Sequence, residues 1–344
     1  MQPHTALRAG AGHDAGTSPL TLQTVLANAS GDTDTPAGTR WQAEAWLELE
    51  RPAPGAPVRF QAGARAPLKW QRGRHHSDGS LELPLLHTAG GLVGGDRLLL
   101  RVHGRGDAQA LLTSVAAQKV YGSVGRFRQQ AGNPWSRHEL QVTLDAGSWL
   151  EWMPQELVMY ADALLEQRLR VRLAEGASFL CTDVVRLGRS AAGETLNRGC
   201  WRSRLEICRQ GGGGRRWELV DALSLDGTCL QGEHGMAGWP VFGSLVWVAP
   251  CQLDAPTLGR VLEQARRSRG DLQGDMACGL LGTGLLGTGL VARYRGPSSQ
   301  AARHWFTRIW AAVRQACGQP IPELPRVWPF QEQPLAGFSP AEPA

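Results

Sequence analysis

Apolar and polar side chains alternate along residues 41–50, where the first clear pattern of the chain begins. The apolar positions share one strand face: Trp41, Ala43, Ala45, Leu47 and Leu49. The acidic residues Glu44, Glu48 and Glu50 fall on the other face. A period of two is typical of a half-buried β-strand. Residues 51–55 (RPAPG) predict the turn that ends it.

A strand–turn–strand pattern occurs twice in the middle of the chain. Residues 140–151 (LQVTLDAGSWLE) align with residues 169–180 (LRVRLAEGASFL), and residues 98–113 form a third, weaker copy. Each copy has an alternating strand, a glycine-containing turn and a second apolar strand. Repeated units of this kind bury their apolar faces by stacking on one another. We therefore predict a mainly β fold of stacked, superhelical, layered β-sheets.

Few helices are expected, and the C-terminal one has the strongest pattern. Residues 257–266 have helical spacing, with a threonine at their start. Residues 298–317 can be capped by Ser298 or Ser299, because a serine hydroxyl accepts hydrogen bonds from the first free N–H groups of a helix. One face of this helix is an apolar stripe that contains Ala302, Trp305, Ile309 and Val313. Gly318 and Pro320 predict its end.

Three regions are expected along the chain. Residues 1–38 are rich in Gly, Ala, Thr, Asp and Ser without periodicity, which predicts a flexible N-terminal extension. Residues 39–330 predict one β-rich domain. Residues 331–344 predict a Pro-rich tail.

Composition and charge exclude several classes of protein. The chain has 344 residues, with 36 basic and 31 acidic side chains spread along its length, which argues against a nucleic-acid partner. It has no apolar run of 18 residues and no apolar core in its first 30, so we expect neither a membrane span nor a secretory signal. Seven cysteines without a C-x-x-C pair indicate neither a disulfide framework nor a zinc site. These features predict a cytoplasmic protein.

No sequence motif of an enzyme has its expected surroundings. Residues 282–287 match the dinucleotide fingerprint G-x-G-x-x-G, but no acidic residue follows at the distance that ribose binding requires. The glycine-rich residues 90–97 lack the Gly-Lys-Ser/Thr of a phosphate-binding loop. A nucleophile motif of the G-x-S-x-G type is also missing. We therefore expect a protein without catalytic activity of its own.

Carboxylates in apolar segments are the most informative polar residues. They are Glu151, Glu156, Asp162, Asp183 and Glu194. A charged group in an apolar strand is costly unless it is paired, hydrated or metal-bound. Two interpretations stay open: core ion pairs with an arginine such as Arg97, Arg186 or Arg189, or the lining of a wet internal route.

Four ordered motifs carry a family resemblance. They are residues 87–98 (HTAGGLVGGDRL), 112–123 (LTSVAAQKVYGS), 150–156 (LEWMPQE) and 183–194 (DVVRLGRSAAGE), with further matches at 238–245 and 325–328. Over residues 40–330 the chain resembles the urease accessory protein UreD family, called UreH in some bacteria.

The resemblance implies a β-rich fold and a role in nickel delivery. It implies the helical accessory protein UreF as a partner, the GTPase UreG through UreF, and urease apoprotein as the receiver. It implies an internal, water-filled passage for nickel toward the nascent urease site. Nickel would then be a cargo in transit, and no tightly bound cofactor is expected.

We interpret the chain as a conduit and docking scaffold. Isolated carboxylates and water could pass Ni²⁺ onward without holding it, whereas a His/Cys cage would trap it. The expected passage lining is Glu156, Asp183 and Glu194, then Asp96, Glu151 and Asp162. Expected structural partners of buried carboxylates or backbone are Lys119, Tyr121, Arg97 and Arg189.

The C-terminal helix and the tail after Pro320 are expected to contribute to the UreF surface, through Trp305, Phe306, Ile309 and Trp310, since aromatic anchors are favoured at interfaces. Core packing of the same side chains is an equal alternative. Two other functions stay open: a β-rich interaction module without a metal route, and a carbohydrate-active enzyme that uses Glu151 and Glu156. The second is weaker, because residues five apart on a strand point to opposite faces.

Overall fold

Apolar side chains at every second strand position form the inner faces of two sheets, which pack against each other. The computed structural model describes residues 41–122, 134–196, 198–282, 287–328 and 333–336. All of these belong to one unit, Thr39–Ala344. The expected extension (residues 1–38) and most of the expected tail (residues 331–344) lie outside the described residues, so both stay predictions.

The described residues form eighteen strands, three α-helices and one short 3₁₀ helix, Ser190–Ala192. The strands are β1 (Gln42–Glu50), β2 (Arg59–Ala64), β3 (Leu68–Trp70), β4 (Arg74–His75), β5 (Leu81–His87), β6 (Arg97–Arg105), β7 (Gln109–Ser114), β8 (Gln118–Val120), β9 (Ser136–Leu144), β10 (Trp149–Trp152), β11 (Leu157–Met159), β12 (Leu164–Ala174), β13 (Ser178–Leu187), β14 (Cys200–Gly211), β15 (Gly214–Asp226), β16 (Val241–Leu253), β17 (Asp275–Leu281) and β18 (Gly287–Gly296). The helices are α1 (Gly227–Gln231), α2 (Ala255–Arg267) and α3 (Ser299–Ala316).

The predicted internal repeat is confirmed as a stack of strand–turn–strand units. Strands β6, β9 and β12 lie parallel in one sheet, with Leu100, Leu140 and Leu169 in register. The second strands of the same units, β7, β10 and β13, lie parallel in the other sheet. Each turn of chain therefore adds one strand to each sheet, as in a β-solenoid.

The two sheets differ in what covers their outer faces. The first sheet has the order β15-β14-β12-β9-β6-β1-β2, and the second has β17-β18-β16-β13-β10-β7-β5-β3, with β4, β8 and β11 beside this path. One apolar core fills the space between the sheets. A second core lies between the outer face of the second sheet and the helices α2 and α3. The mainly β, layered prediction with few helices is confirmed.

Helix α3 begins and ends close to where its sequence predicts. Ser298 is the N-cap, and its hydroxyl oxygen accepts a hydrogen bond from the Ala301 N–H. Helix α2 begins two residues before the predicted start, because the Asp254 carboxylate caps it by accepting from the Thr257 N–H.

The aromatic residues of α3 lie in the second core. Trp305, Phe306, Ile309 and Trp310 are each at most 1% exposed. The Trp305 indole donates to the Ala265 carbonyl of α2. The expectation that these four side chains form a partner surface is therefore corrected, because their area is already buried within the chain. Core packing, the alternative, describes them.

Candidate functional site

A layer of polar side chains interrupts the apolar core between the sheets. On the first sheet His138, Gln167 and Ser203 lie side by side in register, one alternation step from the buried leucines Leu140, Leu169 and Leu205. On the second sheet Asp183, Ser244 and Arg293 lie side by side. Because inward positions recur every second residue, all six face the space between the sheets. With Asp221 of β15 they form what we call the polar layer.

Hydrogen bonds connect the two halves of the polar layer. Gln167 donates from Nε2 to Oδ1 of Asp183 across the gap, over 2.8 Å. The Trp201 indole N–H donates to Oε1 of the same Gln167, over 3.3 Å. Farther along, Arg293 donates to the Asp221 carboxylate over 2.6 Å and to the Ser244 hydroxyl. The layer thus links the sheets at two places, one through an amide–carboxylate hydrogen bond and one through an ion pair.

A cavity of about 270 Å³ lies beside the polar layer. Its polar lining comes from both sheets, including β8, and from the loop between β10 and β11: His87, Ser114, Gln118, Lys119, His138, Gln155, Gln167 and Asp183. Its apolar lining includes Leu85, Leu98, Trp152 and Leu157. The expected passage residue Asp183 therefore lines a cavity between the sheets, which the exposed residues Gly90 and Lys119 also line.

Burial keeps the histidines of this cavity neutral. It lowers the pKa of His138 to about 4, with a further contribution from nearby His87. Burial also lowers the pKa of His87, against the opposing effect of Asp96. Both ring nitrogens of His87 are shielded from solvent and make no hydrogen bond. An imidazole in this state has a lone pair available for a cation.

Burial shifts the pKa of the cavity carboxylate, Asp183, in the opposite direction from the pKa values of the two histidines. Burial raises the pKa of Asp183, while the Gln167 hydrogen bond and the charge of Arg293 oppose that rise. Imidazole nitrogen and carboxylate oxygen are both ligand types that suit Ni²⁺ or a similar divalent cation. Within the described part of the chain, however, no three His, Cys, Asp or Glu side chains converge to hold a metal ion. The arrangement offers one or two protein donors at a time.

Four of the six expected passage carboxylates lie elsewhere and are paired with arginine. Glu151 faces the helices and binds Arg314 through both oxygens, at 3.0 and 3.1 Å. The other pairs are Glu156 with Arg303, Asp162 with Arg198, and Glu194 with Arg189. The expectation of lone carboxylates is corrected at these four positions, which are ion-paired. Glu151 is paired in the core, whereas Asp162 and Glu194 are paired with exposed arginines.

These pairs also separate Glu151 from Glu156. Glu151 is 1% exposed and accepts a further hydrogen bond from the Trp149 indole, whereas Glu156 lies against Arg303 of α3. A glycosidase needs two carboxyl groups that face one sugar. Each of these is engaged with a different arginine, which counts against the carbohydrate-active alternative.

Asp96 holds the glycine-rich loop that precedes β6. It is fully buried, and its two carboxylate oxygens accept the backbone N–H groups of Trp41 and Val93, each over 2.9 Å. Its neighbour Arg97 is exposed and donates its backbone N–H to the Trp41 carbonyl. Trp41, expected on the buried face of β1, is 46% exposed because it precedes the strand and is held by these bonds.

Three of the family motifs meet at one end of the sandwich. The Tyr121 hydroxyl donates to the Gly90 carbonyl, and its ring packs edge-on against Tyr160 at 4.9 Å between centroids. Arg189 lies over the other ring, 4.6 Å from its centroid, and binds Glu194. The Arg189 hydrogen bond lowers the pKa of Glu194.

Smaller contacts complete this end of the molecule. Glu194 also accepts the Ala161 N–H over 2.7 Å. Gly91 has a φ of +155°, and a Cβ there would lie 2.6 Å from the Tyr121 ring, so only glycine fits. The exposed Lys119 accepts the Leu92 N–H through its carbonyl and lines the cavity.

Sequence reasoning identified Asp183 but missed His138, Gln167 and Arg293. The available signal was a break in alternation: His138 precedes Leu140 by two residues, as Gln167 precedes Leu169 in the aligned repeat. A polar residue at the same inward position of two stacked units predicts a polar layer. Arg293 has no comparable signal, because the residues around it, 290–295 (LVARYR), indicate only a strand. Residues 283–286 of the preceding glycine motif lie outside the described residues.

Helices that could cross a bilayer are not found among the described residues. A protein-family model described as "UreD urease accessory protein" matches residues 42–329. Three curated proteins named urease accessory protein UreD are similar over most of their length. That of Synechococcus sp. (strain CC9311) is 52% identical over 80% of this chain and 92% of the relative. That of Prochlorococcus marinus (strain MIT 9313) is 54% identical, over 79% and 84%. That of Synechococcus sp. (strain RCC307) is 48% identical, over 88% and 95%. The chain therefore belongs to the UreD family of urease accessory proteins.

Proposed function

We propose that this protein serves urease maturation as a conduit that passes nickel through the cavity between its sheets. The observation that carries the proposal is the polar layer, in which Asp183 and the neutral His138 line one hollow. A buried imidazole and a carboxylate are expensive features in a core and provide donor atoms where a cation could rest.

The donor set favours transfer over storage. Ni²⁺ is bound tightly by several nitrogen or sulfur ligands held together. Here a hydrated ion would exchange one or two waters for His87, His138 or the free oxygen of Asp183, and keep the rest. An ion held in this way leaves as readily as it enters. Nickel is then the cargo, and the protein needs no resident cofactor.

The proposed partners follow from the family. They are the helical accessory protein UreF, the GTPase UreG through UreF, and urease apoprotein as the receiver. The four buried aromatic and aliphatic side chains of α3 offer no area to UreF, so its surface would lie elsewhere on the molecule. A cytoplasmic location is part of the proposal, in keeping with seven cysteines that form no disulfide.

A second candidate is an interaction module without a metal route. The arginine partners of Glu151, Glu156, Asp162 and Glu194 favour it, because residues once expected to line a passage have structural roles. The two candidates differ in the role of the polar layer. A conduit needs its side chains for nickel delivery, whereas an interaction module does not.

The experiment expresses variants of this protein in cells that need it for active urease and lack the wild-type copy. Asp183→Asn and His138→Gln are compared with Asp275→Asn, which changes an exposed carboxylate of β17 paired with Arg295. The conduit predicts that both polar-layer variants lower the nickel content of purified urease by about tenfold, while the accessory complex still assembles. Full nickel content with both variants would contradict the conduit and favour the interaction module.

A further inference from the structure

Arg293 is a permanent positive charge inside the polar layer. It lies on the same inward row as Asp183, two strands away, with Ser244 between them. Its guanidinium donates to the Ser244 hydroxyl and, across to the first sheet, to the Asp221 carboxylate over 2.6 Å. An arginine does not lose its proton in a protein, so this charge is present at every physiological pH.

The charge of the layer depends on this residue. With His87 and His138 neutral, the two carboxylates Asp183 and Asp221 exceed Arg293 by a single negative charge. Without Arg293 the same space would contain two uncompensated carboxylates. Oxygen donors of that charge density attract a divalent cation strongly in a partly desolvated site.

The Arg293 guanidinium also acts on Asp183 directly, since its charge favours the ionised carboxylate. Gln167 already occupies one oxygen of Asp183, so a single oxygen remains for a cation. A cation at that oxygen would be repelled by the guanidinium on the same face.

We infer that Arg293 is a built-in counter-cation that weakens the hold of the polar layer on a divalent metal ion and so keeps the ion moving. The inference rests on the proposed function and deepens it, because it assigns a residue to the release of the cargo. Arg293 acts on the cation through its charge in this role, without a direct contact. Its bonds to Asp221 and Ser244 hold the charge in place.

The test measures Ni²⁺ binding to the purified full-length protein, by equilibrium dialysis against nickel chloride at pH 7.5. Arg293→Met is expected to lower the dissociation constant by about tenfold or more, whereas Arg293→Lys, which keeps the charge, stays near the wild type. Arg295→Met is the matched control, since Arg295 lies on the same strand and pairs with the exposed Asp275. A merely structural arginine would not tighten nickel binding when it is removed.

A second variant is expected to change nickel affinity in the opposite direction. Asp221→Asn removes the partner of Arg293 and leaves its charge less compensated, so nickel binding should weaken. Circular dichroism verifies that each variant is folded. If Arg293→Met does not fold, the nickel dissociation constant of Asp221→Asn tests the inference instead. Unchanged or weaker nickel binding by folded Arg293→Met overturns the inference, as does unchanged or tighter binding by Asp221→Asn.

Failure of this inference is distinguishable from failure of the conduit. The conduit fails when Asp183→Asn and His138→Gln both leave the nickel content of urease intact in cells. The inference about Arg293 fails when folded Arg293→Met binds nickel no more tightly than the wild type in dialysis, even if Asp183→Asn abolishes nickel delivery. When both hold, Arg293→Met binds nickel more tightly and yet lowers the nickel content of urease.

Discussion

Gln167 of one sheet donates its side-chain amide to Asp183 of the other, with 2.8 Å between Nε2 and Oδ1. The Trp201 indole N–H donates to Oε1 of the same amide. Because an indole only donates, it fixes which end of the amide faces Asp183. Trp201 therefore orients the Gln167 amide so that its NH₂ group faces Asp183. We call the chain of hydrogen bonds from Trp201 through Gln167 to Asp183 the relay, and it holds the carboxylate at the cavity.

Removal of the relay should destabilise the fold. In Gln167→Leu the N–H of the buried Trp201 and the half-buried Asp183 each lose a partner, and an unsatisfied buried polar group costs about 1–3 kcal/mol. We expect a loss of this size in the free energy of unfolding, measured by urea titration at pH 7.5. Gln141→Leu on the outer face of the neighbouring strand is the control, because its partner Glu139 stays hydrated. Equal stability of the two variants would contradict the relay.

The buried His138 should make the protein less stable in acid. Its pKa is about 4 in the folded state, against about 6.5 in an unfolded chain. Between these values the unfolded state binds more protons, so stability is complete above about pH 6.5 and falls as the pH falls toward 4. The full loss from this group is about 3 kcal/mol.

Urea titrations at several pH values between 4 and 7.5 test this dependence. In His138→Gln the part of the slope that belongs to the histidine should disappear, so that the variant loses less stability than the wild type on acidification. His103→Gln is the control, since His103 is partly exposed beside Asp145 on the outer face. An identical slope in the wild type and His138→Gln would contradict a neutral buried imidazole.

The sequence predicted local structure better than the polar site. Alternation identified β1, and the aligned repeat identified β9, β10, β12 and β13, because period and turn chemistry are local properties. The partners of the carboxylates were less accessible: Glu151 and Arg314 are 163 residues apart, and Glu156 and Arg303 are 147 apart. Only the winding of the chain brings α3 onto the second sheet. Pairing of that kind has no signature in a single sequence.

Glu151 should prove to be a structural residue. It is 1% exposed, and both of its carboxylate oxygens accept from Nη1 of Arg314, whose side chain is 11% exposed. Loss of Glu151 removes the nearest counter-charge of Arg314, which keeps Asp78 at 3.5 Å and the Pro320 carbonyl, and it leaves the Trp149 indole without an acceptor, at a cost of about 1–3 kcal/mol. Glu151→Ala should therefore lower the free energy of unfolding by this amount.

The exposed pair of Glu263 and Arg267 on α2 supplies the control for that measurement. Glu263→Ala should change stability little, because exposed pairs contribute little. A double variant, Glu151→Leu with Arg314→Met, should recover part of the loss, since an apolar pair needs no counter-charge. If Glu151→Ala is as stable as the wild type but delivers less nickel to urease, Glu151 lines the passage and is not a structural residue.

Asp96 should control the glycine-rich loop rather than the cargo. Both of its oxygens accept backbone N–H groups, from Trp41 and Val93. In Asp96→Asn one acceptor becomes an NH₂ group that faces an N–H, so one of these bonds is lost, at a cost of about 1–3 kcal/mol. Hydrogen exchange should become faster at the Trp41 or Val93 amide while the amides of β9 keep their protection. Asp145→Asn, on the exposed pair with His103, should leave both loop amides unchanged. Full protection at both amides in Asp96→Asn, with nickel delivery lost, would mean that this carboxylate serves the metal ion and not the loop.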